Sequence, residues 1–163
     1  AGRRGILIPK RYVEETGLEF DPEKIYTLDE LTKWFAALKQ LYPDKYPLGL
    51  ITAENTYSMR SYFMDMPESV RGEATSGNVL DTAAMKVCDS YSSKEYREFL
   101  TYLRKWYESG YLYPDSVLTG YTAPELLTQQ IILSYPSLAD PESIANGNFQ
   151  EEMVCLPTTQ ISI

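Results

Sequence analysis

The chain has 163 residues, 44% of them hydrophobic and 23% charged, the length and balance of one folded domain rather than a disordered segment. Its formal net charge is −8, and its nearest approach to a basic patch is the pair Arg3-Arg4, so nucleic acid is not expected as a partner. Histidine is absent and there are two cysteines, which removes histidine-dependent triads, the commonest zinc ligands and a disulfide framework.

Cys88 and Cys155 are read as small buried residues in strands, with pairing left open. Tyrosine is abundant, at 14 residues; most should pack, and two or three are expected to act at a surface, where a flat ring with a polar tip is useful. No stretch approaches the roughly 20 apolar residues of a membrane span. Any targeting segment is expected outside this chain. The sequence enters its first apolar run at Ile6, almost at once, and is read as a piece of a longer protein.

In chain order, Ile6-Leu7-Ile8 predicts a short buried strand, Pro9 the first position of a short helix, and Gly17 its C-terminal cap. Thr27-Leu28-Asp29-Glu30 is a capping box. It opens an amphipathic helix through Leu28, Leu31, Trp34, Phe35, Leu38 and Leu41, which Pro43 and Pro47 close. Leu48 to Thr52 predicts a second buried strand. Asn55 or Thr56 is expected to cap a short helix through Phe63, and residues 68–82 are expected to form a surface loop.

Met85 to Cys88 reads as a strand. Ser92 to Glu95 reads as another capping box, ahead of a helix whose stripe is Tyr96, Phe99, Leu100, Leu103 and Tyr107. Gly110 stops that helix and Pro114-Asp115 turns the chain. A short helix over Pro124 to Thr128 and a third strand over Ile131 to Tyr135, halted at Pro136, follow. Met153 to Leu156 is the last strand predicted. Trp34 and Trp106 are assigned to the core. Strands alternate with helices, so the class is α/β.

The order of these elements resembles the second lobe of family 1 extracellular solute-binding proteins, the maltose-binding type with lipoprotein relatives in Gram-positive bacteria. The resemblance rests on Ile6-Leu7-Ile8-Pro9-Lys10-Arg11-Tyr12-Val13, on Thr27-Leu28-Asp29-Glu30-Leu31, and on Pro47-Leu48. It also rests on Lys105-Trp106-Tyr107-Glu108-Ser109-Gly110-Tyr111-Leu112-Tyr113-Pro114-Asp115 and on Val154-Cys155-Leu156-Pro157. These motifs run across nearly the whole chain. The family's usual "G-K-x-A-M" segment is replaced by Thr128-Gln129-Gln130-Ile131-Ile132.

The resemblance implies one lobe of a periplasmic-binding-protein type II fold, a small mixed sheet packed by helices, over residues 1–163. It implies a non-enzymatic substrate-capture component of an ABC importer, binding a small solute between two lobes, of which this chain forms one wall. The solute would be a carbohydrate, or else a peptide. The implied partners are the other lobe and the ABC permease, and the implied location is extracellular with lipoprotein anchoring; no cofactor is implied.

The ligand contacts that the resemblance places here are the loop with Glu54, Asn55 and Tyr57, joined by Arg60 if a helix starts at Thr56, and the end of the third strand with Tyr135, Ser137 and Leu138. A tyrosine ring can cover the apolar face of a sugar while Glu54 and Asn55 bond its hydroxyls. Ser137-Leu138 stands where the family commonly has a tryptophan. Two other readings are open: a stand-alone tyrosine-rich carbohydrate-binding or interaction module, and a carboxylate-pair glycosidase using Glu54 and Asp140.

Overall fold

The computed structural model describes residues 4–50, 63–65, 78–81, 84–115, 120–138, 144–145, 147, 149–159 and 161–162. Their elements are β1 (Arg4–Pro9), α1 (Lys10–Thr16), α2 (Leu28–Leu41), β2 (Met64–Asp65), β3 (Asn78–Asp81), β4 (Lys86–Asp89), α3 (Lys94–Glu108), α4 (Ala123–Thr128), β5 (Tyr135–Leu138), β6 (Met153–Pro157) and β7 (Ile161–Ser162).

The apolar run at the start of the chain becomes the middle of the sheet. β1 lies antiparallel between β5 and β6, with Leu7 opposite both Tyr135 and Cys155. Ile6, Leu7 and Ile8 are all buried because both faces of this strand are covered. Alternation sends Ile6 and Ile8 into one hydrophobic cluster and Leu7 into a second on the opposite face. Each such side chain contributes about 1.5–3 kcal/mol by leaving water.

The sheet extends beyond β5. Tyr46 bridges Ile132 and Leu48 bridges Leu112, both in parallel sense. Backbone bonds at 2.9–3.0 Å close these ladders: Leu133 N–H to Tyr46, Gly49 N–H to Ser134, Leu48 N–H to Tyr111 and Tyr113 N–H to Leu48. Of the strand expected over Leu48 to Thr52, Leu48 and Gly49 pair within a segment over 46–49, interrupted as a regular strand by Pro47, which has no N–H to donate; Ile51 and Thr52 lie outside the described residues. The result is a five-segment mixed sheet in the order 111–113, 46–49, 131–138, β1, β6.

The third predicted strand is displaced. Regular pairing with β1 begins at Tyr135 and runs through Pro136, which sits opposite Ile6; residues 131–134 pair instead with 46–49. On β1's ladder β5 has one partner, so Pro136 costs no bond on its other side. Of the stretch 68–82, residues 78–81 pair with β4 in a hairpin. Cys88 and Cys155 are half-buried strand residues, neither in a disulfide.

α2 carries both halves of its predicted capping box: Thr27 accepts from the Glu30 N–H at 3.1 Å, and Glu30 accepts from the Thr27 N–H at 2.9 Å. Its buried stripe is Leu28, Leu31, Trp34, Phe35 and Leu38, while Leu41 is exposed. α3 starts one residue later than expected. Ser93 caps it, accepting from the Tyr96 N–H at 3.0 Å, and Ser92 instead donates to Asp89. Its core face is also rotated from the predicted stripe: Phe99 and Trp106 are buried, Leu100 and Tyr107 exposed.

Gly110 ends α3 in a left-handed conformation at φ 74, its own N–H bonded to Tyr107 and that of Tyr111 to Trp106. This turns the chain into 111–113. The sequence Trp-Tyr-x-x-Gly-Tyr-x-Tyr-Pro-Asp is thus a core anchor, a helix stop, a strand and a turn.

Candidate functional site

Ligands on open α/β sheets bind outside the carboxyl ends of parallel strands, where the strand order reverses. Here the chain visits 46–49, then 111–113, then 131–138, yet 46–49 lies in the middle of the three. The reversal therefore falls between the carboxyl ends of 46–49 and 131–138. Those ends lead into the two stretches marked from sequence, one after Leu50 and one at Ser137-Leu138.

Antiparallel β1 begins at this same edge, and β6, parallel to β5, ends there. Arg4 pairs with Leu138 and Gly5 with Ser137 and Pro157, and the Thr158 N–H donates to the Arg4 carbonyl at 3.1 Å. Among the described residues the edge is thus Arg4, Gly5, Leu50, Asp115, Ser137, Leu138 and Pro157 to Thr159.

The predicted residues divide as follows. Glu54, Asn55, Tyr57 and Arg60 lie outside the described residues, as does Asp140. Ser137 is half-buried on β5, and the Leu138 backbone pairs at the edge itself. Tyr135 is only 8% exposed. Its ring belongs to the cluster with Leu7, Leu126, Ile132 and Met153, because it shares the sheet face of Leu7.

Arg4 and Thr158 were not singled out from sequence as site residues. They meet Leu138 or each other only through pairing between the two ends of the chain, and no local motif announces that.

The resolved electrostatic shifts among the described residues fall on structural contacts. Glu30 is held below the usual carboxylate range by the Lys24 ammonium and by the Thr27 N–H. Glu125 is held down by the Thr122 N–H and hydroxyl. The Glu15 carboxylate, which accepts the Tyr42 hydroxyl, pushes that phenol up to about 12. A general acid needs a carboxyl shifted upward; these two carboxylates shift downward and serve helix caps.

No protein-family model matches the sequence, and no curated protein matches it. Solved structures do. The N-glycan transport solute binding protein of Streptococcus pneumoniae, in complex with Man5GlcNAc, superposes with a TM-score of 0.69 at 17% identity over 98% of this chain and 34% of its own. The S. pneumoniae ABC-transporter substrate binding protein FusA, in complex with kestose, gives 0.66 and 17% over 99% of this chain and 32% of its own.

A human-milk-oligosaccharide (HMO) binding, ABC-transporter-associated solute binding protein from Bifidobacterium longum infantis gives 0.67 and 16% over 99% of this chain and 34% of its own. These likenesses show the fold: the chain has the architecture of one lobe of a solute-binding protein. It spans about a third of the length of the structures it matches.

Proposed function

We propose that this chain forms one wall of the ligand cleft of a solute-binding protein serving an ABC importer, and that its solute is a carbohydrate. The observation that carries the reading is the reversal of strand order between 46–49 and 131–138, with Ser137 and Leu138 at the edge where it falls. The likeness to structures whose names specify an N-glycan, kestose and milk oligosaccharides supports the solute class. In this reading Glu54, Asn55, Tyr57 and Arg60 contact the solute together with Ser137 and Leu138, and Tyr135 supports β5 from the core.

A lobe of this kind captures by closing on the ligand with a second lobe, which buries most of the solute's surface. The permease partner, the extracellular location and lipoprotein anchoring belong to the same proposal, for the longer protein. No chemical step is part of it: the chain binds and releases.

The test is an amide-resolved NMR titration of the chain with Man5GlcNAc, kestose, maltose and a short peptide. Saturable shifts at Asn55 to Tyr57 together with Ser137 and Leu138, with a dissociation constant of roughly millimolar, are expected from a sugar. Shifts from the peptide alone would replace the solute class. Saturable binding that leaves both stretches still would overturn the site.

A further inference from the structure

At the opposite edge of the sheet, where the parallel segments start, a cleft of about 400 Å³ opens among α1, α4 and the residues leading into β6. Arg11, Gln130, Tyr135, Phe149, Gln150 and Glu151 are on its walls. Its volume is that of a small-ligand pocket. It opens toward the other end of the strands from Ser137 and Leu138, and of its lining only Tyr135, two residues before Ser137 on β5, also figures in the proposed function.

Two of its walls are held in place by contacts that fix polar side chains. The Arg11 guanidinium lies over the Tyr12 ring, 4.0 Å from its centroid, and Nη2 donates to the Tyr12 hydroxyl at 2.8 Å. Nε and Nη2 also donate to the two Glu151 oxygens, at 2.6 and 3.4 Å. Nη1 takes part in none of these bonds.

Gln130 sits at φ 58, a left-handed conformation that costs a residue with a Cβ and that clusters at ligand clamps. Lys45 holds it there, donating to the Gln130 carbonyl at 2.9 Å and to its side-chain oxygen at 3.1 Å. With the side-chain oxygen engaged, what Gln130 has to offer a ligand is its NH₂ group.

The wall chemistry selects the ligand. Glu151 beside Arg11 opposes an anion, and Arg11 opposes a cation, so the cleft suits a neutral molecule. Amide and guanidinium N–H groups meet hydroxyl oxygens, the Glu151 carboxylate accepts a hydrogen bond from a hydroxyl, and the partly buried ring of Phe149 covers an apolar C–H face. We propose that this cleft is a second binding site, for a single neutral sugar ring. It stands on its own geometry and does not depend on the function assigned to the carboxyl edge.

The test is the same kind of NMR titration, run with glucose, mannose, N-acetylglucosamine and fructose, and with sodium acetate and choline as charged probes. At least one sugar is expected to give saturable shifts at Arg11, Gln130, Gln150 and Glu151. Gln130→Asn, which tolerates the left-handed backbone but has a shorter reach, weakens that binding about tenfold, as loss of a hydrogen bond should. Arg11→Lys, which keeps the charge and loses the fork, is the second variant and weakens it likewise.

The proposal is overturned if none of the four sugars saturates these residues, if acetate or choline does so instead, or if both variants leave the affinity unchanged. Shifts at Ser137 and Leu138 report on the other edge, so the two readings fail separately.

Discussion

Trp106 packs against rings from three directions, Phe35, Phe63 and Tyr102. It is fully buried and meets Phe35 and Phe63 edge-on, with ring centroids 5.2 and 5.6 Å apart. Its Nε1 donates to the Thr32 hydroxyl on α2 at 2.8 Å. Thr32→Val keeps the shape and strands the indole N–H away from water. It is expected to lower stability by about 1–3 kcal/mol, read as a shifted denaturant midpoint at unchanged m-value.

Tyr42 gives a residue-scale pH effect. Because the Tyr42 hydroxyl donates a hydrogen bond to the Glu15 carboxylate, its folded value rises from 10.0 to about 12. The neutral phenol then favours the folded state; that contribution is complete below the ordinary value and is lost as pH climbs from 10 to about 12. Ultraviolet titration should find a late-ionising tyrosine, and Glu15→Gln should bring it back toward the ordinary value. The partners of Tyr42 were not readable in the sequence, since Glu15 stands on another helix. Tyr135 marks a similar limit: its type suggested stacking, and its position opposite Leu7 buried it.

At the scale of elements, caps and stops were the legible part. The Thr27 box, Gly17 and Gly110 each act where the sequence placed them, because a cap is a contact between residues three or four apart. The second box failed for a local reason as well: Asp89 engages the Ser92 hydroxyl, leaving Ser93 to cap α3. The face of α3 was misjudged because Tyr96, Phe99, Leu100, Leu103 and Tyr107 and the set with Trp106 both have helical spacing. Only the position of α2 decides between them.

Thr27→Ala should cost about 1 kcal/mol in thermal or chemical unfolding. The other half of the box, the Glu30 carboxylate on the Thr27 N–H, should weaken in acid. Lys24 and the Thr27 N–H hold Glu30 below its ordinary value of 4.5, so the stabilisation is present above that value and is lost as pH falls through the lowered one. The gap between wild type and Glu30→Gln should be visible near neutrality and shrink as pH falls below the ordinary value of 4.5.

At the scale of the molecule, strand existence was written locally but strand order was not. β1 lies between β5 and β6, partners from the far end of the chain, and nothing in Ile6-Leu7-Ile8 says so beyond being apolar on both faces. The same non-local pairing creates the carboxyl edge, which is why Arg4 and Thr158 were not marked from sequence while Ser137 and Leu138 were marked through resemblance.

In the proposed function that edge is one wall of a cleft, which limits what the chain can do alone. A sugar lying on it leaves its other face in water, so its affinity should be roughly millimolar. The proposed second lobe should make the same sugar bind at least about a hundredfold tighter, because closure would bury the second face and the added hydrogen bonds would be made out of water. Calorimetry on the longer protein against NMR titration on this chain, with one oligosaccharide, measures the ratio. A ratio within about threefold would mean that this chain makes the whole site, and a self-sufficient carbohydrate-binding module would then be the better description.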